Sequence, residues 1–549
     1  MKYKKMSELI VRTNVLKFLL ILLFIFIIVT SIAILFYLKT RYINDQDLGI
    51  VDSNLKDSGI NIIGSNDNKN NKEIKNSIFI FRRDFRYQDN IGLINCLKDS
   101  KKVYPIFIFT PEQIKNNSFK SNNAIQFMIE SLKELNKSIK NKLQYFYGKP
   151  DDILQKLIKK NKIDAVYVNE DYTPYSIKRD KKLSNICKRN NCLFKSFRDI
   201  MLFPVGHIKT TQGKPYTKFT HFKNAISKMK LKPDKPSITQ SKLLNKLSKI
   251  SGTSRGNSNL GEKSIEQIIK LIGLKYNKNL AVKPGRSEAL KILRSVKKFK
   301  KYNNLRNDLT YSTTNLSAYL KFGCISIRET YDHFLRNLGK SNQLITQLYW
   351  REFYYNIMMI FGYGLQKPIY SKIKWKNNPS LFKKWCEGKT GFPVIDAGMR
   401  QLNETGYMHN RARLLTSNFL CKVLLIDWRK GEKYYATQLV DYDPAMNLGN
   451  WQWSSSAGIS SQDYFMSFNP WNQQKDYDPD CEYIKTWVPE LSNVDPKVIH
   501  KWYNYSFDDE IPVGYSLINR KSIKYPDPVV DYSEQKEKQK KMYGKIYKK

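Results

Sequence analysis

Two aspartates, two asparagines and two tryptophans lie within a short stretch near the C-terminal end of the chain. The stretch reads DYDPAMNLGNWQW and contains Asp441, Asp443, Asn447, Trp451 and Trp453. Carboxylates and amides can hydrogen-bond a polar ring system, and tryptophan is the large side chain that loses an electron most easily. The residues around them show no helical period and almost no charge after Asp443, so we predict a loop. Because tryptophan is usually buried, two of them in a predicted loop indicate stacking or electron transfer.

Three earlier segments carry side chains that suit the same kind of site. At 313–323, TTNLSAYLKFG places hydroxyls around a helix start, where free backbone N–H groups can bind a phosphate. At 347–357, QLYWREFYYNI places an amide, a tryptophan and an arginine on one helix face, which suits stacking against a base. At 407–413, YMHNRAR leads a third helix with an asparagine and two arginines. Each segment alone fits a helix cap or a core edge, but their order along the chain favours one shared site.

The chain is strongly basic. It has 549 residues, and 94 Lys+Arg against 49 Asp+Glu give a net charge of +45. One explanation is a lysine-rich composition shared by all proteins of the source, and the other is a surface for nucleic acid or an anionic membrane. Both stay open at this point. Seven irregularly spaced cysteines without a C-x-x-C pair, and five histidines without H-E-x-x-H, argue against a disulfide framework and against a metal site.

An uncharged apolar segment occupies residues 18–38. Its 21 residues can cross a bilayer core of about 30 Å, whereas the apolar region of a signal peptide has only about 7–15 residues. We therefore predict one transmembrane helix, after a basic flank at 1–17 and before a polar tether at 39–76. The excess of Lys and Arg before the segment predicts a cytoplasmic N-terminus. The chain is thus predicted to be a single-pass membrane protein, with its large domain on the side where its substrate lies.

From residue 77 the pattern alternates between strands and helices. The apolar runs SIFIF, VYPIFIF and DAVYVN, which end at residues 81, 109 and 169, predict parallel strands of a Rossmann-like α/β domain at 77–205. Functional side chains collect at the C-terminal ends of such strands, where Asn169 and Glu170 stand.

The rest of the chain has a different composition. Residues 206–263 lack a period and predict an inter-domain linker, and apolar residues at i, i+3 and i+4 then predict an all-α domain at 264–520. All nine tryptophans lie between Trp350 and Trp502, inside that second domain. The charged end at 521–549 is predicted to be a disordered basic tail.

Eight motifs in one order carry a resemblance to a known family. They are FRRDFR, NEDYTPYSIKRD, TTNLSAYLKFG, YWREF, GKTGFPVIDAGMRQL, YMHNRAR, LLIDWRKGE and DYDPAMNLGNWQW. With these motifs the chain resembles the photolyase/cryptochrome family from about residue 77 to 491, and within it the class I cyclobutane pyrimidine dimer photolyases. The C-terminal motifs are long and specific, and the N-terminal ones are shorter but collinear.

The resemblance implies a noncovalent FAD, folded into a U-shape in the helical domain. Residues 313–317 would hold its pyrophosphate, and Asn447 would face flavin N5. A neutral amide there adds no negative charge beside the anionic reduced flavin, FADH⁻, which is the electron donor. The cofactor-binding residues implied by position are Tyr302, Thr313, Thr314, Asn315, Leu316, Ser317, Asn410, Arg413, Asp441, Tyr442, Asp443 and Asn447.

The family also implies roles for the tryptophans and a partner. Trp451, Trp428 and Trp375 would pass electrons between the flavin and the surface, and Trp350 and Trp453 would line a cavity for the lesion. The implied partner is UV-damaged DNA, bound by a monomer through phosphates without sequence preference and with the dimer flipped out. The substrate-contacting residues implied are Arg306, Gln347, Trp350, Arg351, Asn410, Arg411, Leu414 and Trp453.

Several departures keep alternatives open. Gln347 stands where these photolyases commonly carry Glu, and Leu414 stands where close relatives have Met. Because the (6-4) photolyases place two histidines in this region, Asn410 and Leu414 exclude that subclass. Asn169 and Glu170 match a folate-binding edge, so the resemblance allows a second antenna chromophore, folate or deazaflavin.

Two functions of different classes remain. The first is a light-driven DNA repair lyase, whose membrane anchor would have to face a DNA-containing compartment. The second is a cryptochrome-like blue-light photoreceptor without repair activity, which Gln347 and the predicted anchor favour. A flavoprotein without activity is a third option, but the cofactor residues are too complete for it.

Overall fold

The computed structural model describes residues 73–204, 206–229, 235–250, 261–361, 373–458, 466–505, 508–514 and 516–547. Contacts between Cα atoms divide the chain into two units. Apart from Phe361, the described residues belong to the larger unit, Gly59–Ile360 with Leu365–Lys549. The predicted transmembrane segment at 18–38 lies outside the described residues.

A parallel sheet organises the N-terminal domain, as the sequence predicts, and it has five strands where three were identified from the sequence. Its order is β3-β2-β1-β4-β5, so β1 lies in the centre and Ile80 pairs with both Ile106 and Val168. Strands buried on both faces explain the continuous apolar runs in the sequence. The strands are β1 Ile74–Phe81, β2 Ser100–Phe109, β3 Gln144–Tyr147, β4 Ala165–Asn169 and β5 Leu193–Phe197.

Helices cover both faces of this sheet. Ile78 and Ile80 of β1 belong to one core cluster, and Phe79 and Phe81 belong to a larger one that continues into the helical domain. The alternation follows from the two-residue period of a strand. The helices of this domain are α1 Ile91–Asp99, α2 Pro111–Ile114, α3 Asn122–Ser138, α4 Pro150–Asn161 and α5 Pro174–Arg189.

The connection between the domains is partly helical, in contrast to the predicted period-free linker at 206–263. It contains α6 Phe219–Lys228 and α7 Gln240–Lys246. In α6 the buried residues Phe219, Phe222 and Ile226 lie on one face. Three buried apolar positions in ten residues give only a weak helical period, and the neighbouring segments are rich in Gly, Pro and Lys. The sequence therefore did not predict this helix.

The C-terminal domain is helical, as predicted, with one short antiparallel hairpin, β6 Glu510–Val513 and β7 Ser516–Asn519. A π-helical turn, Phe419–Val423, follows directly on α16. The helices are α8 Ile265–Ile272, α9 Arg286–Arg294, α10 Tyr302–Leu305, α11 Ser317–Lys321, α12 Ile327–Leu338, α13 Gln343–Phe361, α14 Pro379–Glu387, α15 Pro393–Thr405, α16 Asn410–Asn418, α17 Trp428–Gln438, α18 Pro444–Ser454, α19 Pro470–Tyr477, α20 Glu482–Trp487, α21 Pro496–Ile499 and α22 Tyr532–Tyr547.

A buried ionic cluster joins the two domains. Asp199, just after β5, accepts hydrogen bonds from Arg86 at 2.6 Å and from Arg328 of α12 at 2.7 Å. Arg328 also donates to Asp89 at 2.9 Å. All four side chains are at least nine-tenths buried. Charges this deep require complete pairing, so the cluster fixes how the α/β domain sits on the helical domain.

The tail is helical where the sequence predicted disorder. In α22, Tyr532, Gln539 and Tyr543 are buried at a spacing of seven and four residues. Tyr543 donates to the Ser455 carbonyl at 2.9 Å, and its ring lies 6.3 Å from that of Trp375. Lys422, on the π-helical turn, places its ammonium 4.1 Å from the centre of the Tyr543 ring and donates to Ser456 at 2.8 Å.

Replacing Lys422 by Met should stabilise the protein at neutral pH. Burial lowers the pKa of Lys422 to about 7, below its unfolded value, so between pH 7 and 10 the unfolded chain binds more protons. Wild-type stability should therefore rise with pH in that window, by up to about 1.4 kcal/mol per unit from this group. The unfolding free energy of Lys422→Met, measured with urea at several pH values in this range, should rise less steeply with pH than that of wild type. Replacing the exposed Lys383 by Met is the control and should leave the pH dependence of the unfolding free energy unchanged. Equal pH dependence in wild type and Lys422→Met would contradict a lowered pKa for Lys422.

No helix in the described ranges combines the length and the apolar character needed to span a bilayer.

Candidate functional site

The stretch that opened the sequence analysis is a helix and not the predicted loop. Asp443 caps α18 by accepting from the Ala445 amide at 3.1 Å, and Pro444 occupies the first turn. These are ordinary helix-start signals. The apolar period is hidden because α18 is packed on several sides: Ala445, Gly449, Trp451 and Gln452 are all buried.

Asp441 has one oxygen with partners and one without. Its Oδ2 accepts from Ser317 at 2.6 Å and from Arg413 of α16 at 3.0 Å. Its Oδ1 is buried and has no hydrogen-bond partner within the described part of the chain. Burial lowers the pKa of Arg413, but Asp441 outweighs it, and the pKa is raised overall. A buried carboxylate oxygen needs a donor, which a hydroxyl or ring N–H of FAD can supply.

Asn447 is oriented by a glutamate that the sequence analysis missed. Its Nδ2 donates to Glu432 twice, to the backbone carbonyl at 3.2 Å and to Oε1 at 3.1 Å. Both partners are acceptors, so the amide nitrogen must face Glu432 and Oδ1 must point away. Burial raises the pKa of Glu432, which also accepts from Tyr442 at 3.1 Å. The amide oxygen is therefore preset as an acceptor for an N–H group such as that of reduced flavin N5.

The three tryptophans of the predicted electron chain fall in one cluster. Trp451 and Trp428 belong to the same buried core, and Trp375 packs against it, half-buried. The edge of the Trp451 ring lies against Gly431 of α17, where a Cβ atom would come within 2.2 Å of it. Gly431 is three residues after Trp428, on the same helix. The Nε1 atoms of Trp375 and Trp451 are buried without a partner among the described residues.

A fourth tryptophan lies beside Trp451 and was not assigned a role from the sequence. The Trp385 ring is 6.2 Å from Trp451, with Tyr435 4.9 Å from Trp451. Trp385 is fully buried and donates to the Thr416 carbonyl at 3.0 Å. It offers a second neighbour to which an electron hole on Trp451 could move.

The predicted pyrophosphate segment is irregular backbone that leads directly into α11. Thr313 donates to Asn315 at 3.2 Å, and Asn315 has φ +50°, a conformation that asparagine tolerates better than most residues. Thr313, Thr314 and Asn315 are half-buried, and Leu316 is buried. Tyr302 is buried, which raises its pKa to about 12 and keeps it protonated.

The predicted substrate residues of α13 lie around a closely packed tryptophan. Gln347 and Trp350 are half-buried on this helix. The Trp350 ring stacks on Phe219 of α6 with centroids 3.4 Å apart and planes 8° apart. Arg351 donates to the Ile200 carbonyl at 2.8 Å and lies over the Tyr355 ring, so its guanidinium is engaged inside the fold.

Three of the other predicted substrate residues, Asn410, Arg411 and Leu414, lie on α16, whereas Arg306 follows α10 and Trp453 lies near the end of α18. Arg411 donates to Asn307 at 2.6 Å and lies 4.4 Å from the centre of the Tyr477 ring. Asn410 is exposed. Of the remaining predicted substrate residues, Arg306, Leu414 and Trp453 are partly exposed.

The predicted antenna residues differ from each other. Asn169 is buried and fully engaged: it donates to Asp84 at 2.6 Å and to Asn90 at 2.8 Å, and accepts from Gly92 at 3.0 Å. Glu170 is partly exposed, and burial raises its pKa. Of the two, Glu170 has the side chain that a second ligand could reach.

Arg83 connects the α/β domain to the site and was not assigned to it from the sequence. It pairs with Asp443 and donates to Tyr355 at 2.8 Å and to the Lys321 carbonyl at 3.0 Å. Burial raises the pKa of Asp443, but Arg83 and Lys321 more than offset this and lower it. These residues are separated by hundreds of positions, so no local pattern could have revealed the contact.

Two family models match this chain. Residues 77–239 match DNA photolyase, and residues 344–545 match the FAD binding domain of DNA photolyase. The deoxyribodipyrimidine photo-lyase of Buchnera aphidicola subsp. Acyrthosiphon pisum is 35% identical over 483 residues, covering 84% of this chain and 95% of that protein. The chain belongs to the DNA photolyase family. The resemblance inferred from the eight motifs is confirmed.

Solved structures of the family agree with the fold. A photolyase from the archaeon Sulfolobus tokodaii is 37% identical, with a TM-score of 0.72 over 86% of this chain and 100% of that one. A class III photolyase from Agrobacterium tumefaciens is 27% identical, with a TM-score of 0.76 over 88% of this chain and 100% of that one. The parallel-sheet domain followed by a helical FAD-binding domain is the photolyase fold.

The predicted membrane localisation is contradicted. The relative from Buchnera matches over 95% of its own length, and the family models begin at residue 77, beyond the apolar segment at 18–38. Within the ranges that the structure describes, no helix is suited to cross a bilayer. The length of that apolar segment and its K/R flanks are therefore not sufficient to assign the chain to a membrane.

Proposed function

We propose that this chain is a light-driven DNA lyase that splits cyclobutane pyrimidine dimers. Family membership and 35% identity to a deoxyribodipyrimidine photo-lyase support the proposal. The observation that carries it is on α18: Asn447 presents a fixed acceptor, and Trp451, one helical turn later, presents a buried oxidisable ring. Together they suit a flavin that must be held reduced and can be re-reduced.

The residues around α18 fit FAD. We propose that Asp441 and Arg413 hold the flavin side of the cofactor, and that residues 313–317 hold its pyrophosphate. The buried Oδ1 of Asp441, which has no hydrogen-bond partner among the described residues, supports the first assignment. The other proposed cofactor contacts are Tyr302, Asn410, Tyr442 and Asp443, of which Asp443 already pairs with Arg83 and Tyr355.

Bound and reduced FAD would supply a light-driven electron to the dimer and recover it when the ring has opened. The chain provides the surroundings for this chemistry. Asn447 places an uncharged acceptor where Glu432 has fixed its orientation, and the cluster of Trp451, Trp428 and Trp375 provides a route for electrons from the surface. Side chains with fixed positions of this kind tune the electronic properties of a cofactor, and the cofactor itself carries out the chemistry.

Asn447→Asp should weaken the retention of reduced flavin. The new carboxylate would lie about as close to Glu432 as the present 3.1 Å contact, next to an anionic cofactor. We expect the bound reduced flavin to reoxidise in air at least ~10-fold faster, which corresponds to about 1.4 kcal/mol. The measurement is the decay of the reduced-flavin spectrum after mixing with oxygen. Asn450→Asp, exposed on the same helix, is the control, and similar decay in both variants would contradict the role of Asn447.

The substrate is proposed to be UV-damaged DNA, bound without sequence preference. The net charge of +45 supports attachment through phosphates. Trp350 and Trp453 are proposed walls for the flipped dimer. Phe219 covers one face of Trp350 and the Tyr354 ring lies stacked 5.5 Å from it, so the dimer would meet the part of the Trp350 ring that these two side chains leave uncovered. Because all these residues lie in one chain, a monomer is sufficient.

A second chromophore is proposed at the C-terminal ends of the strands. The photolyase of Sulfolobus tokodaii has two FAD molecules, with a novel light-harvesting cofactor implied. In this chain the partly exposed Glu170 supports such a site, because Asn169 has its hydrogen bonds filled.

Binding in the dark and release in the light test the proposal against the photoreceptor hypothesis. The full chain, chemically reduced, should bind a duplex with one thymine dimer more tightly than the same undamaged duplex. Blue light should then lower its affinity to that for undamaged DNA. A photoreceptor without repair activity would show no damage preference and no light-dependent release.

A further inference from the structure

One segment of the inter-domain connection is docked on the proposed lesion site. We call residues 206–229 the linker arm. Its start is fixed to α13, because Asn356 accepts from the Gly206 amide at 3.0 Å. Just before it, Glu352 accepts from the Leu202 amide at 3.1 Å. The arm is thus held by the helix that carries Gln347 and Trp350.

The helix of the arm, α6, packs its apolar face beside Trp350. Phe219 stacks on Trp350 at 3.4 Å and meets Phe353 edge-on at 5.8 Å. Phe222 also contacts Phe353, at 5.4 Å. At the far end of α6, Lys340 donates to the Ser227 carbonyl at 2.6 Å. These contacts fix which face of α6 is turned outward.

The ionised side chains of the arm are all cationic. Residues 206–229 contain five lysines and no Asp or Glu. Lys209, Lys214, Lys218 and Lys228 are exposed, and Lys223 is partly exposed. Within the described residues, none of the five forms an ion pair with a carboxylate. In α6, exposed His221 and Lys228 lie opposite the buried Phe219, Phe222 and Ile226.

A lysine-rich composition alone does not explain this surface. Some other lysine-rich parts of the chain include acids, such as Asp332, which pairs with Lys235, and Asp151 and Asp152 at the start of α4. The arm has none, and it is anchored on Trp350. Residues 289–307 are also basic without an acid, so the feature that distinguishes the arm is its contact with Trp350. Five lysines with no carboxylate partner among the described residues, on a segment that contacts Trp350, suit the phosphates of the strand on either side of a flipped base.

We propose that the linker arm is a DNA-binding element that contacts backbone phosphates next to the flipped dimer. It rests on the proposed function for the identity of the substrate. The contacts are with phosphates, so the arm should bind damaged and undamaged duplexes alike. Through Phe219, the same element holds the Trp350 ring in place, so DNA attachment and the shape of the lesion cavity depend on one helix.

The test compares two triple variants of the full chain with equal loss of charge. The arm variant carries Lys218→Gln, Lys223→Gln and Lys228→Gln. The control carries Lys178→Gln, Lys181→Gln and Lys182→Gln, three exposed lysines of α5. Binding of undamaged and dimer-containing duplexes is measured over a salt series. Flavin content and melting temperature of each variant establish that it has folded.

The arm variant should lose affinity for both duplexes and show a flatter salt dependence. Each lost phosphate contact should reduce the slope of log K against log salt by about 0.9, so we expect a reduction of about 2–3. The control should change the slope by less than about 1. Equal changes in both variants would assign the effect to net charge and overturn the proposal. If the chain were not a lyase, the dimer preference and light-dependent repair of the wild type would fail, while the effect of the arm on undamaged DNA would still be measurable.

Discussion

Trp451→Phe should abolish the light-driven re-reduction of bound flavin, while the chemically reduced variant still repairs dimers. Phenylalanine keeps the aromatic packing against Gly431 and Tyr435 but is far harder to oxidise than indole. The first electron-transfer step is therefore lost without a large change in the fold. We expect the yield of photoreduction to fall at least ~100-fold, equivalent to about 2.7 kcal/mol. Flash absorption spectroscopy of the oxidised enzyme measures it.

Two companion variants decide the route beyond Trp451. The proposed chain runs through Trp428 to Trp375, but Trp385 also lies 6.2 Å from Trp451. Trp428→Phe should block photoreduction nearly as fully as Trp451→Phe, and Trp385→Phe should leave most of it. The reverse result would move the route to Trp385. Photoreduction at the wild-type level in Trp451→Phe would contradict the role of α18 in electron transfer.

Asp199→Asn should have the largest effect on stability. It removes the carboxylate between Arg86 and Arg328, and leaves two buried guanidinium groups with Asp89 as the remaining acid in the cluster. Removing one partner of a buried ion pair typically costs about 3–5 kcal/mol. Urea unfolding of the full chain measures the loss. Asp332→Asn, in the more exposed pairs with Lys235 and Arg336, is the control and should cost no more than about 1 kcal/mol.

The same carboxylate should make the wild type acid-sensitive. Burial raises the pKa of Asp199, but Arg86 and Arg328 outweigh burial and lower it below its ordinary value. A lowered folded-state pKa stabilises the protein above the unfolded pKa, about 3.9, and this contribution is lost as the pH falls through the folded value. Unfolding free energies of wild type and Asp199→Asn should therefore converge in acid. A constant difference down to the acid transition would contradict the ionic role of the cluster.

The fold was predictable where burial is simple. The strands ending at Phe81, Phe109 and Asn169 are buried on both faces and appear as unbroken apolar runs. The predictions were wrong for helices that bury only a few side chains or that bury side chains on several faces. Helix α22 buries Tyr532, Gln539 and Tyr543 among ten polar or small residues, and α18 is surrounded by core on several sides, so neither shows a clear amphipathic period.

The site was predictable where the residues lie within motifs. Asp441, Asn447 and Trp451 stand in one stretch, and the structure brings Arg413 and Ser317 to the same carboxylate. The residues that support them were not predictable. Glu432 orients Asn447 from a neighbouring helix, and Arg83 reaches Asp443 across the domain interface. Such contacts depend on tertiary packing, which spacing along one sequence does not encode.

Repair of a defined lesion tests the central claim most directly. The full chain, with its flavin chemically reduced, is incubated with an oligonucleotide that contains one thymine cyclobutane dimer, in the dark and under blue light, and restored thymines are counted by chromatography. We predict restoration that requires light, accumulates over several turnovers and is absent without reduced flavin. A chain that binds FAD and undergoes photoreduction through Trp451, yet restores no thymine in the light, would contradict the assignment as a lyase.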